Sequence, residues 1–198
     1  MFDVSAVLAM QEQTVARWHQ QPLDNPYSDF LGLACQQHQF NFQLWHEEDI
    51  ARSPDVGDAR IAQVKRAIDR FNQQRNDAIE KLDDWLSDAL AAQSILADPN
   101  GPINTETPGS AVDRLSIIAL RIYHLDEQAA RVDASDEHRR NVARKAAICR
   151  LQRDELARSL GELLAEIAAG RKRHRTYRQF KMYNDPALNP YLYQASNR

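Results

Sequence analysis

IAQVKRAIDRFNQQRNDAIEKLDDW (Ile61–Trp85) places Ile61, Val64, Ile68, Phe71, Arg75, Ala78, Leu82 and Trp85 at alternating spacings of three and four. That period marks one face of an α-helix turned toward a core. The same spacing recurs in Val142, Ala146, Cys149, Arg153, Leu156, Leu160, Leu163 and Ile167. Each stripe carries one arginine among apolar residues. A charge at such a position is costly unless it is paired, so Arg75 and Arg153 each require a carboxylate, backbone carbonyls or a bound anion. A polar interior follows from this, and its purpose does not.

Working outward, apolar residues recur at helical spacing almost everywhere, only six glycines occur, and no strand-like run stands out. A first helix is expected from Asp3, a good N-cap, to Gln20. Pro22 and Pro26 then break the pattern. A second helix is expected from Ser28 to Arg52, and a third from a cap at Asp58 to Ser94. Thr107 and Pro108 read as N-cap and N1 of a fourth helix that ends near Val132. Ser135 or Asp133 caps a fifth, stopped by Gly170. The expected architecture is all-α: an up-and-down bundle of about five long antiparallel helices with short connections. A short basic C-terminal helix and an irregular tail over 184–198 complete one helical-bundle domain spanning 1–198.

Composition narrows the function classes. A chain of 198 residues, 43% hydrophobic and 27% charged, with mean hydropathy -0.62, reads as globular and lacks an apolar run that would span a bilayer. The first residues, MFDVSAVLAMQEQ, show no basic stretch ahead of an apolar one, so no signal peptide is expected. Cys35 and Cys149 share no metal-type spacing, and a reduced, cytoplasmic setting is the expectation. Net charge is -3, which argues against the whole surface being a nucleic-acid platform.

Five polar groups are candidate sites. Asn41, Trp45, Glu48 and Arg52 lie along one face of helix two, with Asp49 beside Trp45 and Arg52 and Glu47 adjacent. They read either as ion pairs or as a substrate or metal site. His46-Glu47 does not begin HExxH, because Ile50 stands where the second histidine would be. All-α nucleotide pyrophosphohydrolases place acidic pairs on facing helices, but Glu80, which with Asp83 would supply the second pair, would lie about 27 Å from Glu48 along the hairpin. Asn72, Arg75, Asn76 and Asp77 are denser. They suggest a hydrogen-bond network or a pocket in which Arg75 grips a carboxylate or phosphate. At the start of helix four, Thr107 and Ser110 could cradle an anion or simply cap the helix. With a turn near Ala134, Arg153 faces Leu115, which predicts an Asp113–Arg153 pair. The run Arg171, Lys172, Arg173, Arg175, Arg178 and Lys181 interleaves with Tyr177, Phe180 and Tyr183. It reads as a docked amphipathic helix or as an RNA- or anion-binding surface. The six histidines are scattered, and no metal site is expected.

LWHEEDIAR, IDRFNQQRND, NTETPGSAVDRLSIIALRIYH and YRQFKMYNDPALNP, in this order, resemble the signature of a bacterial family catalogued only as a domain of unknown function. The resemblance implies one full-length, cytoplasmic bacterial domain and supplies no activity, cofactor or catalytic residue. The residues themselves point to a bundle whose buried polar pocket binds a small anionic or nucleotide-like ligand. Asn41, Glu48, Asp49, Asn72, Arg75, Asn76, Asp77, Thr107, Asp113 and Arg153 are its candidate residues. Whether it is an enzyme stays open. The alternatives are a non-enzymatic scaffold that forms a homo-oligomer, and RNA or anionic-surface binding through residues 171–181.

Overall fold

The structure, a computed structural model, describes residues 1–182 and 185–195. These form six helices: α1 (Val4–Trp18), α2 (Asp29–Ala51), α3 (Asp58–Ala92), α4 (Pro108–Ala130), α5 (Asp136–Ala168) and α6 (Pro190–Ala195). Among the described residues the only extended pairing is an isolated bridge between Ile103 and Arg173.

The helix boundaries follow from local chemistry. Asp3 caps α1 by accepting from the Ser5 N–H at 2.8 Å. Thr107 accepts from the Ser110 N–H at 3.1 Å, with Pro108 in the first turn of α4. Ser135 accepts from the His138 N–H at 3.1 Å and starts α5. Gly57, not Asp58, occupies the N-cap of α3; Asp58 sits in the first turn, where its charge favours the helix dipole. Gly170 ends α5 with φ +70°, the left-handed conformation that glycine adopts at least cost.

α2 and α3 form one long antiparallel hairpin, α4 and α5 a second, and α1 lies against α2, α4 and α5. The main core is built where they meet, from Val7, Met10, Trp18, Phe30, Ala34, Leu82, Leu86, Val112, Leu115, Leu120, Leu160 and Leu164. α3 and α4 approach closely at Gly109, where a Cβ would lie 2.7 Å from the Ile79 carbonyl oxygen and 2.9 Å from the Asp83 carboxyl. No helix among the described residues is long and apolar enough to cross a membrane.

Three expectations are corrected. The basic run is not a helix: residues 174–181 have no regular secondary structure. Lys172 pairs with Glu166 on α5 and Arg173 donates to the Gly101 carbonyl, while the later residues bond back along α3. His174 Nε2 lies 2.8 Å from the Asp83 carbonyl, Arg178 spans Glu80 and Asp84, and the Lys181 ammonium donates to the Asn72 carbonyl at 3.3 Å. Charge docks the segment, while Tyr177 and Phe180 stay exposed; Tyr183 lies outside the described residues. The short C-terminal helix is α6 instead, inside the stretch expected to be irregular. Asn189 Oδ1 accepts from the Tyr191 N–H at 3.0 Å, and Pro190 opens the helix. Finally, Asp113 and Arg153 do not pair. Arg150 bonds Asp126 at 2.5 Å, which marks the α4–α5 register, and Arg153 lies beside Ile122 and Tyr123. Ile122 is nine residues from Asp113, roughly two and a half turns. Arg153 pairs with its neighbour Asp154 at 2.9 Å.

Candidate functional site

Asp113 is the centre of the polar interior. It sits on α4 with a side chain only 5% exposed, and Arg75 from α3 grips it through both Nε, at 2.7 Å, and Nη2. α2 supplies two further donors to the same carboxylate, Gln37 Nε2 at 2.5 Å and Asn41 Nδ2 at 2.9 Å. Four donors on one buried carboxylate compensate its desolvation. The carboxylate in turn holds the Arg75 guanidinium well above its ordinary range, against the opposing effect of burial. The seam arginine thus has the carboxylate partner it required.

The network continues deeper. Asn41 Nδ2 also donates to Ser116 Oγ at 2.9 Å, Ser116 Oγ is 2.6 Å from His38 Nδ1, and His38 Nε2 is 3.2 Å from the Gln11 carbonyl oxygen. A carbonyl only accepts, so Nε2 carries the hydrogen and Nδ1 accepts from the serine. Complete burial pushes His38 down to about 3, so it is neutral. Gln11 donates onward to the Val112 carbonyl at 3.2 Å. Side chains from α1, α2, α3 and α4 are therefore keyed together by directional bonds.

On the outer side of Arg75 lies an open cleft of about 380 Å³, lined by Asn41, Leu44, Trp45, Glu48, Asp49, Arg52, Asn72, Arg75, Ile117 and Leu120. Asn72 and Arg75 from α3 and Asn41 from α2 line this cleft together. Arg52 bonds Glu48 at 2.8 Å along the rim, where both are substantially exposed. Arg75 spends Nε and one Nη2 hydrogen on Asp113, and its Nη1 makes no bond among the described residues.

The remaining candidates lie elsewhere. Asn76 is buried outside the cleft lining, and exposed Asp77 accepts from Gln73 at 2.7 Å. Thr107 caps α4, and that helix start already holds an anion of the chain's own: Asp83 Oδ1 accepts from the Gly109 N–H at 2.8 Å. Burial raises Asp83 above the ordinary carboxylate range, while bonds from Thr107 and Gly109 oppose this. Arg153 borders a separate cavity of about 170 Å³ between α1, α4 and α5. Cys35 and Cys149 are free and buried, and burial pushes the Cys35 thiol up to about 12, far from a nucleophile's range.

Sequence reasoning missed Gln11, Gln37, His38 and Ser116. Gln37, His38 and Asn41 share a helical face, as do Asp113 and Ser116, so each half of the network was legible as a polar patch. Their meeting was not. Also missed is a convergence of His19, His46 and His124, one ring nitrogen from each lying within 4.8 Å of the others.

A family model described as protein of unknown function (DUF4254) matches residues 32–176. The chain belongs to this family. The match includes the cleft, the Arg75–Asp113 pair and three of the four sequence blocks, and ends just before YRQFKMYNDPALNP. No curated protein and no solved structure matches the chain.

Proposed function

We propose that this DUF4254 chain binds a small anionic, nucleotide-like ligand in the cleft beside Arg75. The observation that carries the reading is the mounting of Arg75. Asp113 fixes its fork from behind by two bonds, so the guanidinium meets the cleft at low entropic cost. Trp45 supplies a flat wall on which a base can stack, and the Asn72 amide supplies a directional partner. An incoming phosphate displaces Glu48 from Arg52 cheaply, because an exposed pair within one helix is worth under about 1 kcal/mol. Glu48 and Asp49 are the carboxylates placed to act on a bound ligand or to hold its counter-ion.

Thermal-shift and calorimetric titration with phosphate, pyrophosphate and nucleoside mono- and diphosphates test this. A binder should stabilise wild type, and Arg75→Lys should weaken it by about 10- to 100-fold by losing the fork. Asn72→Ala should weaken it while leaving the melting midpoint unchanged. If no phosphate compound stabilises wild type, the reading fails.

A second reading, a non-enzymatic interaction protein that pairs with its own copy, is favoured by one observation. Ile148 and Leu151 lie within one turn on α5 and are 55% and 58% exposed. Light scattering of wild type and Ile148→Glu separates the two readings, since only self-association predicts a mass that falls in the variant.

A further inference from the structure

Outside the cleft, one side-chain cluster is not explained by packing. His19 follows the last turn of α1, His46 lies on α2 and His124 on α4. His19 Nδ1 is 2.7 Å from the Val15 carbonyl oxygen, and His46 Nδ1 is 2.8 Å from that of Phe42. A carbonyl oxygen only accepts, so each Nδ1 carries the hydrogen and each Nε2 keeps a lone pair. His124 Nδ1 is 2.8 Å from Glu127 Oε2, which selects the same tautomer.

Each ring thus keeps a free Nε2 lone pair, and one ring nitrogen of each lies within 4.8 Å of the others. His19 Nε2 and His124 Nε2 are buried and make no hydrogen bond among the described residues. A water molecule has two hydrogens and cannot satisfy three acceptors, whereas one cation can.

The geometry points to a site for one divalent transition-metal ion of the zinc type, held by His19, His46 and His124 with a fourth position open. Imidazole nitrogens suit zinc, nickel, copper and cobalt rather than magnesium or calcium, which take oxygen ligands. Tetrahedral zinc with bonds near 2.0–2.1 Å places its nitrogens about 3.4 Å apart, so small rotations of the three rings close the present spread. The groups that orient the three rings are already in place. Val15, Phe42 and Glu127 take the three Nδ1 hydrogens, as outer partners of metal-bound histidines do. Trp45 stacks on His124 with centroids 4.8 Å apart, and Tyr123 stacks on His19 at 4.1 Å, restraining the ring planes. His46 and His124 fall within the family match and His19 precedes it.

The test is titration of metal-stripped full-length protein with zinc chloride by calorimetry and with cobalt chloride by visible absorption. The site predicts one ion per chain and a four- or five-coordinate cobalt spectrum with nitrogen ligation. His46→Ala and His124→Ala should each lower zinc affinity by about 100-fold or more, and Glu127→Gln by about 10- to 100-fold at unchanged stoichiometry. Nitrogen-15 NMR of wild type supplies a readout independent of any variant's folding: zinc should shift three histidine Nε2 resonances together. Absence of stoichiometric binding, an all-oxygen octahedral cobalt spectrum, or affinity unchanged in the triple His→Ala variant would overturn the assignment.

Discussion

At Asp113 the balance between two large terms decides how the interior behaves. A carboxylate this buried depends on its donors to offset lost hydration, and Arg75 supplies the only opposite charge bonded to it among the described residues. Arg75→Met should therefore lower unfolding free energy by about 3 kcal/mol or more in urea titration. A loss under about 1 kcal/mol would show that the pair is structurally dispensable. His38 gives a second prediction. Its folded pKa, about 3, lies below the unfolded value near 6.5, so the unfolded chain binds the extra proton between them. The stability His38 contributes is present above pH 6.5 and is lost as pH falls toward 3, at about 1.4 kcal/mol per pH unit. Urea midpoints at pH 7 and pH 5 check this, and His38→Gln should flatten its share of the slope. Arg75 was legible in the sequence as an arginine in need of a partner. Asp113 was not legible as that partner, because the choice between Arg75 and Arg153 rests on helix registers within a fraction of a turn.

Helices announced themselves by caps and period, and their contacts depend on close approach. Gly109 has room for no side chain, being wedged against the Ile79 carbonyl and the Asp83 carboxyl. Gly109→Ala should push α3 and α4 apart and cost about 1–3 kcal/mol by thermal or chemical unfolding. The basic segment behaves differently. Arg178 is 44% exposed and its bonds to Glu80 and Asp84 are screened by water, so Arg178→Ala should leave the urea midpoint nearly unchanged. A clear fall would mean that the segment carries stability rather than riding on α3. Its aromatic spacing suggested an amphipathic helix. The segment forms no helix and is held instead by bonds to α3 from His174, Thr176, Arg178 and Lys181, which are long-range and leave no periodicity in the sequence.

Over the whole molecule, the two polar centres share Trp45, which lines the Arg75 cleft and stacks on His124. A metal at the histidine cluster would tie α1 to α2 and α4. Zinc at 100 times its dissociation constant should then add about 2.7 kcal/mol to wild-type stability, and none to the triple histidine variant. The sequence by itself determined the all-α class, the five long helices and most of their ends, because caps, prolines and three-four spacing act within a few residues. It also marked Asn72, Arg75 and Asn76 as one dense polar cluster, since residues three and four apart share a helix face. Only the tertiary structure decided that Asp113 belongs to Arg75, that Asp83 fills the start of α4, and that His19, His46 and His124 converge. Those contacts join helices distant in the chain, where a shift of one turn exchanges one partner for another without altering any local pattern.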